Sequence, residues 1–511
     1  MRIEGLFVCP KALNAPLGRS TPEDAARFHL AWTSWPADLH SPVRLYLALR
    51  ASGRRPCLLE SAEGPERLAR YSFLGVDPEA SFRAGRDGAW WQREGERKSL
   101  PGNSHQALRT MTQTLSSPEP PPGLPPFCGG WVGWFSYEWA STLEPTVPRA
   151  EQDPWQIPEA AFEFFPMVVA FDHASQKILL LRACPKGEAD FDASMDALEA
   201  LAADLATPPE ASGAFRLLDE DPQPCLSKER FEEGVLKLQQ AIREGEIFQA
   251  VLSQRFEQRF QGDPFTLYRV LRLTNPSPHM FFFEADGVQL IGSSPERLVA
   301  VRQGRVQNRP IAGTRPRHAD SDEDDRLAAE LRGDIKERAE HDMLVDLARN
   351  DLGRVARIGT VQVKEHAALE KFARVQHLVS RVECELAGGR DALHALAASF
   401  PAGTVSGAPK IRAMQLLADL EPETRGPYAG AFGYLDGAGN LDMAIMIRTL
   451  VVREDRLSVQ AGAGVVHDSR PENEYMETLH KAQALFEAVR LADSPAFRPL
   501  HNDPAISGGR P

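Results

Sequence analysis

The sequence predicts an α+β fold with antiparallel sheets. Three observations point there. Strand-like apolar runs are joined mostly by short turns, helical periodicity arrives in blocks between them, and no regular strand–helix–strand alternation is visible. With 511 residues the chain is long enough for two or three domains, or for two large sheets forming one unit.

In the first half, the aromatic run Trp131 to Tyr137 reads as a strand, and Phe164 to Asp172 with Lys177 to Arg182 reads as a hairpin around His173-Ala174-Ser175. A helix over Phe191 to Leu205 closes this half. The Pro-rich stretch Ser116 to Pro126 reads as a loop within it, and residues 206–226, rich in turn formers, read as a linker. The second half opens with a helix capped by Ser227, with Phe231, Val235, Leu238 and Ile242 at helical spacing. A strand over Phe248 to Phe256 follows, with Gln249, Val251 and Ser253 on one face. Then come strands at Met280 to Phe283 and Val288 to Ile291, and a hairpin of Leu298 to Arg302 and Arg305 to Arg309 turned at Gly304. A long helix runs from about Asp322 to Asn350 with Gly333 as its weak point. Strands at Ala429 to Tyr434, Met443 to Val452 and Leu457 to Ala461 precede a last helix, for which Ser469 to Glu472 predicts a capping box. The expected division is 1–215, 226–493 and a loose tail, 494–511.

Composition is that of a globular protein, 42% hydrophobic and 25% charged. A net charge of −13 argues against nonspecific nucleic-acid binding and anionic membranes. Met1 to Ser20 has no apolar core of a signal segment, and no stretch approaches the ~18 apolar residues of a membrane span, so a cytoplasmic location is expected. Cys9, Cys57, Cys128, Cys184, Cys225 and Cys384 are scattered without a C-x-x-C pair, which reads as reduced structural thiols.

The chemistry is concentrated in two glutamate pairs, Glu337 with Glu340 and Glu474 with Glu477. Each pair is three residues apart on a predicted helix, and so shares a face. A solvated helix face with a Glu477–Lys481 pair, and a cap from Asp334 to Glu337, are the plainer readings of the same residues. A di-iron bundle site needs two Glu-x-x-His pairs and only Glu477–His480 is present. An all-oxygen set favours Mg²⁺ or Mn²⁺. Gly462-Ala463-Gly464 lacks the third glycine of a dinucleotide loop, and no G-x-x-x-x-G-K-S/T occurs. Glycine there allows backbone amides close to a carboxylate, to which Gly313-Thr314, Thr404 and Arg448 add donors. Arg448 closes the apolar run Ala444 to Arg448, where a buried guanidinium needs an anion. His377 lies in an apolar segment, ordinarily a core position, and Glu296 follows a strand where partial burial would suit a general acid.

Together these runs resemble the chorismate-utilising enzymes, and among them the anthranilate synthase large-subunit branch. The likeness is carried by Ile247-Phe248-Gln249, Gly292 to Glu296, Pro310 to Arg315, Leu344 to Arg354, Phe400 to Lys410, Arg425 to Tyr428, Val459 to Val465 and Glu474 to Lys481. In the first half it rests on Leu58 to Ser61, Arg70 to Phe73 and Gly129 to Tyr137. The resemblance implies two large antiparallel sheets packed face to face with helices outside. It implies conversion of chorismate and ammonia to anthranilate and pyruvate in tryptophan biosynthesis, with Mg²⁺ as cofactor. Glu340 and Glu477 would be metal ligands with Glu337 and Glu474 beside them. Tyr434, Arg448 and the amides of Gly462, Ala463 and Gly464 would hold the enolpyruvyl carboxylate. Glu296 would protonate the departing hydroxyl, and His377 would assist pyruvate elimination. Thr404, Gly313 and Thr314 would line the site, with Lys481 near the metal carboxylates. Gln249 stands where water-adding relatives carry a lysine base, and an amide cannot deprotonate water, which favours ammonia. Ala312 stands where many aminodeoxychorismate synthases, the alternative branch, carry a lysine nucleophile. Phe127-Cys128-Gly129-Gly130 does not match a glutaminase nucleophile turn, so ammonia is expected from a separate glutamine amidotransferase subunit or free ammonium. Leu59, Glu60, Ser61, Arg70, Pro278, His279 and Met280 resemble a tryptophan feedback pocket, with His279 in place of the usual tyrosine.

Overall fold

The computed structural model describes residues 28–62, 70–114, 120–185, 188–209, 212–372 and 375–497. Met1 to Ser20, Cys9 and the tail beyond Phe497 lie outside the described residues.

Among the described residues, two antiparallel sheets of thirteen and twelve strands organise the chain. The first runs Phe28–Pro36, Lys177–Pro185, Met167–Asp172, Tyr71–Val76, Pro56–Glu60, His279–Ala285, Val288–Ser294, Thr449–Arg453, Arg456–Val465, Gln249–Gly262 and Phe215–Leu217. Gln223–Pro224 and Gly407–Ala408 also pair with Gln249–Gly262. The second runs Ile311–Pro316, Val375–Glu385, Arg305–Asn308, Arg297–Arg302, Leu441–Ile445, Ala431–Asp436, Gly130–Phe135, Ala160–Phe165, Ala80–Gly85, Gly88–Arg93 and Glu96–Leu100, with Gln362–Lys371 on Val375–Glu385. Strands of the two halves of the chain join in each sheet, where Met280 lies opposite Glu60 and Gly433 opposite Gly133. Two short strands of the linker, Phe215–Leu217 and Gln223–Pro224, also pair into the first sheet.

The chain changes sheets at short breaks inside runs that read as continuous or consecutive strands. Pro166 separates Ala160–Phe165 from Met167–Asp172, and Met446 to Arg448 separates Leu441–Ile445 from Thr449–Arg453. The predicted strands Phe164 to Asp172 and Met443 to Val452 are therefore each two strands in different sheets. Alternation records burial, not which sheet buries a residue, so the period gives no warning. A third crossing, at Pro295-Glu296, joins Val288–Ser294 to Arg297–Arg302.

The inner faces pack through aromatic rings. Phe281 of the first sheet stacks on Phe432 of the second with centroids 4.0 Å apart, and Trp134 meets Phe283 edge-on at 5.9 Å. Helices cover the outer faces. Pro42–Ala51, Phe265–Thr274 and Pro471–Ala492 cover the first sheet, and Ser104–Thr114, Ile335–Gly353 and Ala392–Ser399 the second. The helix Lys228–Arg243 buries Phe231, Val235 and Leu238, each removal from water stabilising by about 1.5–3 kcal/mol. Its Ser227 Oγ accepts the Arg230 amide at 3.3 Å, as the sequence predicts.

Two helix expectations change. The stretch from Asp322 to Asn350 is two helices, Ser321–Gly333 and Ile335–Gly353. Asp334 turns extended between them, and its carboxylate accepts the Lys336 and Glu337 amides at 3.0 and 3.2 Å. The last helix begins at Pro471 without the predicted capping box. Ser469 Oγ instead accepts the Val466 amide at 3.0 Å, leaving Arg470 as an uncapped start, while Pro471 brings no amide to satisfy.

Candidate active site

The crossing at Pro295-Glu296 places a carboxyl between the sheets. The Glu296 carbonyl is held by the Ile445 amide at 3.0 Å, and its carboxyl accepts from Thr404 Oγ1 at 3.3 and 3.4 Å. Burial pushes the Glu296 carboxyl up to about 8, and the Thr404 bond offsets this only in part. The shift favours the protonated form at neutral pH, the state a general acid needs. Thr404 sits in the short turn Gly403–Val405, which lies directly on the helix Ile335–Gly353. A Cβ added at Gly403 would overlap Leu347 Cδ2. Lys410 Nζ bonds Asp351 at 2.9 Å near the far end of the same helix.

His377 is opposite Thr314 across paired strands. Its Nδ1 lies 3.0 Å from the Gly313 carbonyl and 3.1 Å from Thr314 Oγ1. A carbonyl only accepts, so Nδ1 carries the proton and the other ring nitrogen keeps its lone pair. Burial, and secondarily the charge of Arg448, lowers the pKa of His377, which favours the neutral ring. Arg448 is not in a strand. It lies at the sheet crossing with φ +49°, left-handed backbone that re-aims its side chain. The residue is exposed and not buried as expected, yet surrounding protein lowers the pKa of its guanidinium, and it has no hydrogen bond or ion pair to the described residues.

Alternation along Arg456–Val465 sets Gly462 and Gly464 on one face and buries Ala463 on the other, against Phe231 and Leu252. A Cβ at Gly462 would lie 2.8 Å from the Tyr428 hydroxyl, and one at Gly464 would lie 2.9 Å from Gln249 Nε2. Gln249, Gly462, Gly464 and Tyr428 therefore share one wall. Burial pushes the Tyr428 hydroxyl up to about 12, keeping it a donor. Tyr434 is not brought to this wall. Its ring packs with Phe127 at 4.5 Å and Phe73 at 6.3 Å, and its hydroxyl bonds Arg302. Tyr428, within the run Arg425 to Tyr428, is the tyrosine that a residue-by-residue reading passed over. No periodicity marks it, because only the fold brings it to Gly462.

The two glutamate pairs face one another across the helices Ile335–Gly353 and Pro471–Ala492. Partial burial pushes the Glu340 carboxyl above its usual range, and the charges of Glu337 and Glu477 push it further. Burial and the charge of Glu477 raise Glu474 as well. Cations thread between them. Lys481 Nζ lies 2.7 Å from Glu477 and 3.0 Å from the Gly462 carbonyl, linking the pairs to the glycine wall. Arg315, not singled out from the sequence beyond its motif, reaches Glu337 at 3.3 Å and Asp334 at 2.9 Å. Gly313 allows this approach, since a Cβ there would lie 3.2 Å from Glu337 Oε2. Among the described residues no three His, Cys, Asp or Glu side chains converge on one point as a closed metal cage. The crowding of like charges on Glu340 and the all-oxygen donors nonetheless fit a hard divalent cation.

The expected tryptophan residues divide between two faces of the first sheet. Glu60 lies opposite Met280 on the helix side, where Arg272 grips its carboxylate through two nitrogens at 2.7 to 2.9 Å and the Tyr268 hydroxyl donates at 2.7 Å. Leu59 and His279 face the second sheet, and burial aided by Arg297 depresses the His279 ring to about 4. Ser61 Oγ donates to the Pro278 carbonyl at 2.7 Å. Arg70 pairs with Asp172 at 2.9 Å.

The two antiparallel sheets thus bring to one end a carboxyl raised by burial, a histidine lowered by burial and an arginine without a partner among the described residues. The chain belongs to the family of chorismate binding enzymes, which it matches over residues 54–487. Within that family it is 44% identical to anthranilate synthase component 1 of Thermus thermophilus over 461 residues, covering 90% of this chain and 97% of the relative. It is 41% identical to anthranilate synthase component 1 of Aquifex aeolicus over 471 residues, covering 90% and 94%. Among solved structures, anthranilate synthase component I from Streptococcus pneumoniae superimposes with a TM-score of 0.72 at 37% identity, covering 82% of this chain and 92% of that one. No described helix is long and apolar enough to cross a membrane.

Proposed function

We propose that the chain is the large subunit of an anthranilate synthase, converting chorismate and ammonia to anthranilate, pyruvate and water. The observation that carries the reading is that a carboxyl held neutral, Glu296, and an unpaired guanidinium, Arg448, lie at the end of the sheets where the glycines of one strand let Tyr428 and Gln249 approach it closely. A dicarboxylate with a hydroxyl leaving group matches both. Arg448, the Tyr428 hydroxyl and the amides along Gly462 to Gly464 bind the enolpyruvyl carboxylate, which compensates a charge the protein leaves open. Glu296 donates its proton to the departing ring hydroxyl, so water leaves while ammonia bonds to the ring carbon ortho to the carboxylate, the ring double bonds shifting between the two positions. Thr404 fixes that carboxyl, and Gln249 accepts or donates at the nucleophile without deprotonating it. His377, neutral with a free lone pair, takes the ring proton lost on aromatisation, the C–O bond to the enolpyruvyl group breaks, and that proton ends on its methylene carbon to give pyruvate.

Glu340 and Glu477, with Glu337 and Glu474 beside them, are the residues that would hold Mg²⁺. When bound, the ion neutralises the ring carboxylate of the substrate. The relatives are named as component 1, which supports a second component as the ammonia source; a cytoplasmic site of action belongs to the same reading. Tryptophan binding at the first sheet between Leu59 to Ser61 and Pro278 to Met280 is part of the same reading.

The test is direct. Incubation with chorismate, Mg²⁺ and ammonium, followed by fluorescence and mass, should yield anthranilate and one pyruvate per turnover. Accumulation of aminodeoxychorismate without pyruvate would assign the chain to the alternative branch instead.

A further inference from the structure

We propose that Arg425 is a positioning residue that ties the Thr404 turn, the Gln249 strand and Tyr428 into one reactive geometry. The proposal rests on the reading above. The Arg425 and Glu421 side chains are 1% and 9% exposed, so the pair is removed from water. Its Nε and Nη2 grip Glu421 at 2.6 and 2.7 Å. The same guanidinium donates to the Val405 carbonyl at 2.8 Å and to the Val251 carbonyl at 2.7 Å.

Those carbonyls belong to the site. Val405 follows Thr404, the residue that bonds Glu296. Val251 is two residues from Gln249 on the same face and lies opposite Gly464. The ring of Tyr137 packs on the guanidinium at 4.4 Å, and the Tyr428 ring lies 5.7 Å away. Glu138 accepts the Arg425 amide at 2.7 Å and the Gly426 amide at 3.1 Å, fixing the segment from which Tyr428 departs. Glu421 is held in turn by the Ser253 amide at 2.8 Å and hydroxyl at 2.9 Å. A planar fork reaches three segments at once. A lysine in its place has one point charge and cannot.

The test is a mutant cycle between Arg425→Lys and Thr404→Val. If Arg425 acts through the Thr404 turn, Arg425→Lys lowers kcat about 30-fold in the native background. Its further effect on kcat in the Thr404→Val background is then less than about 3-fold. Losses that multiply in full would show that Arg425 serves only general stability, and would overturn the proposal, as would an unchanged kcat. Hydrogen exchange gives a readout independent of turnover, in which the amides of residues 402–408 and 249–253 exchange faster in Arg425→Lys while those of Phe281 to Phe283 do not. If the unaltered protein does not turn over chorismate, the functional reading falls, and exchange alone decides the anchor. If Arg425→Lys does not fold, Glu421→Asp, which draws the fork back while keeping its charge, replaces it in the same cycle.

Discussion

Glu296 owes its chemistry to where the chain changes sheets. The residue is an ordinary glutamate in Ser293-Ser294-Pro295-Glu296-Arg297, and burial at the crossing pushes its carboxyl up to about 8. The active, protonated form is complete well below that value and is lost as pH rises through it. The pH profile of kcat/KM should therefore show an alkaline limb near pH 8, and Glu296→Gln should lose about 10²–10⁴-fold in kcat. The same raised value gives a stability signature. The native state holds a proton that the unfolded chain releases in the ordinary carboxyl range, so stability falls as pH rises from there to about 8. Urea titrations across that window should show the fall in the native protein and its absence in Glu296→Gln. Tyrosine substitutions separate the two candidates at the wall. Tyr428→Phe should raise the KM for chorismate about 5- to 10-fold, as for loss of one hydrogen bond to a charged group, and more than Tyr434→Phe does. Equal effects would return Tyr434 to the binding set. Arg448 shows what was legible at this scale. Its apolar neighbours mark a guanidinium in need of an anion, but its left-handed backbone and missing partner are properties of the crossing.

Helices and turns carry the next level of argument. The helix Ile335–Gly353 is keyed against the site at three points, Gly313 near Glu337, Gly403 on Leu347, and Lys410 on Asp351. These contacts set where Glu337 and Glu340 stand relative to Thr404. Gly403→Ala forces a methyl into Leu347, and should destabilise by about 1–3 kcal/mol in urea unfolding. It should also lower activity, and Leu347→Ala in the same chain should recover part of the stability. The i, i+3 spacing of each glutamate pair is enough to place two carboxylates on one helix face. That the two faces oppose each other is not in the spacing. It follows from one helix covering the second sheet and the other the first. Helix ends were the less legible part. Asp334 breaks one predicted helix and the Ser469 hydroxyl is taken by the turn before another, because side-chain oxygens choose between nearby amides of similar reach.

At the scale of the whole molecule, the two sheets hold the reactive groups of both at one end. The wall of Gly462, Gly464 and Gln249 comes from the first sheet, His377 and Thr314 from the second, and Glu296 from the link between them. The opposed carboxylates predict a divalent-ion requirement. Chelation with EDTA should abolish anthranilate formation, Mg²⁺ should restore it, and Glu340→Gln or Glu477→Gln should raise the Mg²⁺ concentration needed for half activity at least about 10-fold. Unchanged Mg²⁺ dependence in both variants would detach these glutamates from the metal. The sequence by itself determined the secondary-structure types, the hydrophobic faces and the residue kinds that the chemistry needs, because propensity, period and side-chain chemistry are local. It also determined the family, through motifs held in order along the chain. Only the tertiary structure decided which sheet each strand joins, which tyrosine reaches Gly462, and that the Glu296 carboxyl is raised above its ordinary range. Those depend on long-range strand pairing and on the water it excludes, and neither leaves a period in the chain.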